Sequence, residues 1–152
     1  MSTKVFISHA SDDKDRFVRG FATKLRTDHG IDAWLDEWEI TPGDSLVGKI
    51  FNGIENAEVV IIVLSRFSTD ELKKPWVREE LEVGIVRRIQ DGIKIIPVLI
   101  DDCIVPTALK ALLYQEIKDL ENYDVELERI VAAILNRLKK PPLGSEPTHV
   151  PS

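Results

Sequence analysis

The chain has 152 residues, 43% of them hydrophobic and 30% charged, with a formal net charge of -6, which suits one globular domain and gives no basic field for a nucleic-acid backbone. A single cysteine, Cys103, excludes an internal disulfide, and His9, His29 and His149 lie too far apart in sequence to form a recognisable metal-binding motif. No apolar run reaches the roughly 18 residues of a membrane span, so the expectation is a soluble, cytoplasmic protein with no metal, nucleic-acid or membrane partner.

Lys4 to Ser8, KVFIS, reads as a buried strand. The stretch DKDRFVRGFATKLRTDHG reads as an amphipathic helix, because Phe17, Phe21 and Leu25 recur every four residues and Gly30 supplies its stop. Ile31 to Leu35 reads as a second strand with Trp34 in the core, Asp36 to Gly43 as a polar loop, and the residues beyond as a helix with Leu46, Ile50 and Ile54 on one stripe. Ala57 to Ser65, AEVVIIVLS, is the most apolar run, as expected of a central parallel strand. The loop RFSTDELKK leads to Pro75, well placed to open a helix that runs to about Gln90. Ile93 to Ile100 is a fourth strand, and Asp101 and Asp102 after it read as a solvated strand terminus. A short helical turn, a weaker fifth strand in YQEIKDL and a closing helix with Leu127, Ile130, Ile134 and Leu138 inward complete the pattern. This alternation predicts an α/β fold: a five-stranded parallel sheet with helices on both faces. Residues 1–139 would form the domain, and the proline-rich residues 140–152 a disordered tail or linker.

In such a sheet ligands bind outside the carboxyl ends of the strands, which here carry SHAS, DEWEITPGDS, SRFSTDE and DDC. A phosphorylated receiver domain would need an acceptor aspartate after the third strand, where Ser65 stands. A dinucleotide fingerprint would need glycines that SHASDD lacks, and no G-x-S-x-G elbow occurs. Ser8 and His9 are adjacent on a strand and point to opposite faces, so they make no nucleophile and base pair. GDSLVGKI, Gly43 to Ile50, matches a P-loop at all but its last position. It lacks the buried strand before it, and it reads better as a helix capped by Asp44 or Ser45.

The helix from Pro75, PWVREELEVGIVRRIQ, places Val77, Leu81, Gly84 and Ile85 on its buried face. Glu79 then points to solvent, while Glu80 lies on a flank shared with Trp76 one turn earlier. On spacing alone, an exposed acid beside a tryptophan that covers the core remains an open reading.

Taken together, VFISHASDDKD, GIDAWLDEWEITPGDS, VVIIVLS and WVREEL resemble a Toll/interleukin-1 receptor (TIR) domain, specifically the bacterial TIR domains that cleave NAD+. The resemblance covers about Lys4 to Leu138 and implies a flavodoxin-like fold. It implies that Glu80, four residues after Trp76, is the catalytic carboxylate, stabilising positive charge on the ribose as nicotinamide leaves. Trp76 would shield the reacting group. Ser8, His9 and Ala10 after the first strand, and Asp36, Trp38, Asp44 and Ser45 after the second, would line the pocket. Water as the acceptor would give ADP-ribose, and an adenine nitrogen a cyclic isomer. NAD+ is then a substrate and no cofactor is needed. Self-association through TIR–TIR contacts, a fused or separate sensor domain and a role in bacterial antiphage defence or signalling are further implications. The alternatives are a non-catalytic TIR interaction module and a protein that binds a nucleotide without turnover.

Overall fold

A computed structural model describes residues 2–68, 87–88, 90–106, 109–137 and 141–145. Five parallel strands form one sheet: β1 (Lys4–Ser8), β2 (Asp32–Trp34), β3 (Val59–Leu64), β4 (Lys94–Leu99) and β5 (Gln115–Glu116), in the order β2-β1-β3-β4-β5. The register runs Lys4 opposite Asp32, Val5 opposite Val59, Val59 opposite Lys94 and Val98 opposite Gln115. β3 is buried at all six positions, as the continuous apolar run requires of a strand covered on both faces. The chain order reverses between β1 and β3, and the carboxyl ends of those strands therefore flank a crevice.

Helix α1 (Arg19–His29) packs on one face of the sheet through Phe21, Ala22 and Leu25. Phe17 and Phe21 stack with centroids 5.0 Å apart, and Tyr123 closes on Phe17 at 5.4 Å. The closing helix, Asp124–Ile134, adds Leu127, Ile130, Val131 and Ile134 to the same core. Helix α1 stops where Gly30 takes φ 64°, with Ile31 N–H donating to Leu25 O at 3.0 Å. That six-residue return needs a left-handed residue, which glycine supplies without a Cβ penalty.

The opposite face is covered by helix α3 (Leu46–Asn56), with Ile54 against Phe6, Val60, Ile62 and Leu64. Gly53 makes the approach possible: a Cβ there would lie 2.9 Å from Trp34 Cε2 and 3.0 Å from Phe6 Cδ2.

Several expectations are corrected. The helix predicted from the DKDRFVRG segment begins as a 3-10 turn, Ser11–Asp13, and a wide π turn, Lys14–Val18, before α1. The segment after β2, expected as loop throughout, contains one helical turn, α2 (Asp36–Glu39), whose acids suit a helix amino end. Leu46 is 45% exposed and not inward, because α3 meets the sheet through its second half, where Gly53 and Ile54 are buried. Trp34, expected in the core, is only half-buried, since β2 is an edge strand of the sheet.

The fifth strand is shorter than YQEIKDL suggested, and Pro97 explains why. Ile100 N–H donates to Leu64 O on β3, so alternate residues of β4, Leu99 and Pro97 among them, face β5. Proline has no N–H to offer there. Pairing with β5 accordingly begins only at Val98. Leu138 of the closing helix lies outside the described residues.

Candidate active site

The loop leaving β1 places Ser8 buried at the strand end, with Ala10 buried beyond it and accepting Asp13 N–H at 3.0 Å. His9 between them is half-buried and turned back, its Nδ1 donating to Ile7 O at 3.1 Å. Burial lowers its pKa below the ordinary 6.5, against the opposing pull of the Ile7 carbonyl, Asp36 and Asp13. The ring is then neutral at pH 7, with the proton on Nδ1 and Nε2 left as an acceptor.

Asp36 reaches this loop through Lys14, whose Nζ lies 2.7 Å from Oδ1 and 2.8 Å from Oδ2. The expected residues His9 and Asp36 therefore share one electrostatic neighbourhood. Trp38 is 39% exposed and faces α1, where the Arg26 guanidinium stands 6.0 Å from its ring. Ser45 caps α3, its Oγ accepting Gly48 N–H at 3.1 Å, as the reading of GDSLVGKI required. Asp44 accepts Thr41 N–H at 2.9 Å and the Thr41 hydroxyl at 3.0 Å, which hold its carboxyl below the ordinary range. No described contact joins Trp38, Asp44 or Ser45 to His9. Trp76 and Glu80 lie outside the described residues.

Sequence reasoning missed the group that ties the strand ends together. Asp13 is fully buried, at 0% exposure. Its Oδ1 accepts Arg16 Nε–H at 2.9 Å and its Oδ2 accepts the hydroxyl of Ser65, the residue that follows β3. Ser65 Oγ in turn accepts Phe67 N–H and Ser68 N–H, each at 3.1 Å. Asp101, read as a solvated terminus, instead binds Arg16 Nη2 and accepts Arg66 N–H at 3.1 Å. The wide π turn presents Arg16 to both carboxylates. The acidic run SDD was visible in the sequence, but the partners stand 52 and 85 residues away from Asp13 and Arg16.

Among the described residues no group of three or more His, Cys, Asp or Glu is placed to hold a metal ion. No described helix is long and apolar enough to cross a membrane.

A strand order of 2-1-3-4-5 with charged loops at the carboxyl ends is shared by several families, and comparison with known proteins separates them. The family model described as TIR domain matches residues 5–131. The chain belongs to the TIR domain family. Over 92 residues, 60% of this TIR domain chain, it is 45% identical to the 2′ cyclic ADP-D-ribose synthase AbTIR of Acinetobacter baumannii, covering 32% of that protein. Over 91 residues, also 60% of the chain, it is 45% identical to the 2′ cyclic ADP-D-ribose synthase BtTIR of Bacteroides thetaiotaomicron, covering 30%. The match thus spans about a third of these relatives' length. The crystal structure of the TIR domain of the Toll-related receptor TRR-2 from Hydra magnipapillata superposes with a TM-score of 0.68 at 26% identity. That superposition covers 89% of this chain and all of that one, and it agrees with the flavodoxin-like arrangement.

Proposed function

We propose that this TIR domain is an NAD+ nucleosidase that cleaves the nicotinamide–ribose bond, yielding nicotinamide with ADP-ribose or a cyclic isomer. The observation that carries the reading is the 45% identity to two bacterial proteins named as 2′ cyclic ADP-D-ribose synthases. The NAD(+) hydrolase TcpA from a Theionarchaea archaeon supports the hydrolytic branch at 41% identity over 93 residues.

Nicotinamide departs from a cationic pyridinium as a neutral molecule, so it needs no proton from a general acid. Positive charge then builds on the ribose, and one carboxylate held nearby stabilises it. Glu80 takes that role, with Trp76 excluding water from the reacting face. Neutral His9 offers Nε2 as an acceptor to a ribose or amide donor, and Asp36, held by Lys14, lies within its neighbourhood. Water as acceptor gives ADP-ribose. The 2′ in the relatives' product name favours a ribose hydroxyl over an adenine nitrogen as the cyclising nucleophile.

Residues 1–139 act as the catalytic module and residues 140–152 as a linker toward a sensor domain. Self-association of TIR modules completes the pocket, in a cytoplasmic defence or signalling setting. The test is to incubate concentrated protein with NAD+ and separate the products. Nicotinamide should appear with wild type and be lost in Glu80→Ala, while the melting midpoint stays unchanged. Wild-type turnover by that variant removes Glu80 from the mechanism, and no nicotinamide from wild type leaves the non-catalytic interaction module as the reading.

A further inference from the structure

We propose that Asp13 is a positioning residue for this site, its buried carboxylate clamping the turn that follows β3 onto the loop that follows β1. The proposal rests on the nucleosidase reading, because the chain leaving that turn at Ser68 is the one that carries Trp76 and Glu80.

The geometry is a relay in three steps. Arg16 and the Ser65 hydroxyl each take one oxygen of a carboxylate that has no exposure. The Ser65 oxygen, turned by that bond, faces the N–H groups of Phe67 and Ser68, and Ser68 Oγ returns to Ser65 N–H at 2.8 Å. From β4, Asp101 holds the same turn at Arg66 N–H and the same guanidinium at Arg16. Three strand ends thus meet at one charged centre.

A buried carboxylate is a poor way to gain stability, since apolar filling of similar volume often serves as well. What it adds is direction. It holds the Ser65 hydroxyl in one orientation, and that orientation fixes the backbone at Phe67 and Ser68. Reaction rates respond to small displacements: a misplacement of about 1 Å can cost on the order of a hundredfold. Outer partners that orient metal ligands are typically worth about 10- to 100-fold, and the same scale is expected of a group that orients a metal-free site.

The test compares Asp13→Asn, Ser65→Ala and the double variant, assayed with NAD+ well below each melting midpoint. Asp13→Asn should lower kcat about 10- to 100-fold with KM within about threefold, as expected of an orienting group. Amide exchange at Phe67 and Ser68 should quicken in both single variants. The double variant should lose little more than Ser65→Ala alone, because Asp13 acts on Phe67 and Ser68 through the Ser65 hydroxyl. Wild-type kcat in both single variants, losses that multiply in the double variant, or an effect confined to KM overturns the proposal. If Asp13→Asn does not fold, Ser65→Ala decides: it removes the hydroxyl through which Asp13 holds the Phe67 and Ser68 N–H groups, and wild-type kcat in it overturns the proposal. A wild type that releases no nicotinamide overturns the nucleosidase reading. The clamp is then judged by exchange, and unchanged protection in Asp13→Asn and Ser65→Ala overturns it as well.

Discussion

The loop leaving β1 and the segment leaving β2 both carry candidate pocket residues and both are rich in charge, yet they are held by different physics. The first is anchored by Asp13, buried to 0% and paired on both oxygens. The second is held nearer the surface, by the partly buried pair of Lys14 and Asp36 and by the exposed contacts of Arg19 with Glu37 and Thr41 with Asp44. A buried pair is costly to break, whereas an exposed pair contributes about 0–1 kcal/mol and is screened by salt. The first loop is therefore rigidly fixed, and the second can be rearranged at small cost.

The sharpest way to break this contrast is Asp13→Ala, which leaves Arg16 with half its partners. It should cost about 3–5 kcal/mol in urea unfolding. A cost below about 1 kcal/mol would place both loops in the same class. Gly53→Ala comes next, because its Cβ would meet the Trp34 and Phe6 rings at 2.9 and 3.0 Å. Displacing α3, which anchors the far end of the β2 segment, should cost about 1–3 kcal/mol by the same measurement. Ser45→Ala removes the cap on that helix and should cost about 1 kcal/mol. Lys14→Met should cost about 0–1 kcal/mol, and 0.5 M salt, at which the Debye length is only about 4 Å, should largely erase its difference from wild type.

The smallest effect concerns pH. The folded-state pKa of His9 lies below its ordinary value, chiefly through burial. The unfolded chain therefore takes up the proton first as pH falls. The stability this burial permits is fully present above about 6.5 and declines as pH drops through that value. Between pH 7.5 and 5.5 the melting midpoint of wild type should fall more than that of His9→Ala. Parallel declines would show that His9 is not held neutral by the fold.

The strand and helix alternation was legible because each apolar run is local and periodic. β3 appears where AEVVIIVLS stands, α1 buries Phe21 and Leu25, and the closing helix buries Leu127, Ile130 and Ile134, as their spacing indicated. A cap at Asp44 or Ser45 could be read from their place before an apolar stripe, and Ser45 is the one that fills it. What could not be read was set by contacts between distant strand ends. Asp101 looked solvated because nothing local announces Arg16, and Ser65 looked like a missing acid when its hydroxyl in fact serves one. Leu46 fitted the helical stripe, but periodicity does not say how far along a helix the sheet extends. The resemblance named His9 and Asp36 together, and the structure places them in one electrostatic neighbourhood. The salt bridge from Lys14 to Asp36 that links their loops joins residues 22 apart, beyond any local pattern.

Pro97 has a meaning for how copies of this domain could join. A long open strand at a sheet edge invites another chain to extend the ladder and, repeated, to grow a fibre. Here the edge strand offers two paired residues, and the strand behind it lacks a donor at the next position. An incoming backbone would find no continuous template. Any contact between copies at this edge would then be made through side chains, which can be specific and reversible, and not through runaway backbone pairing.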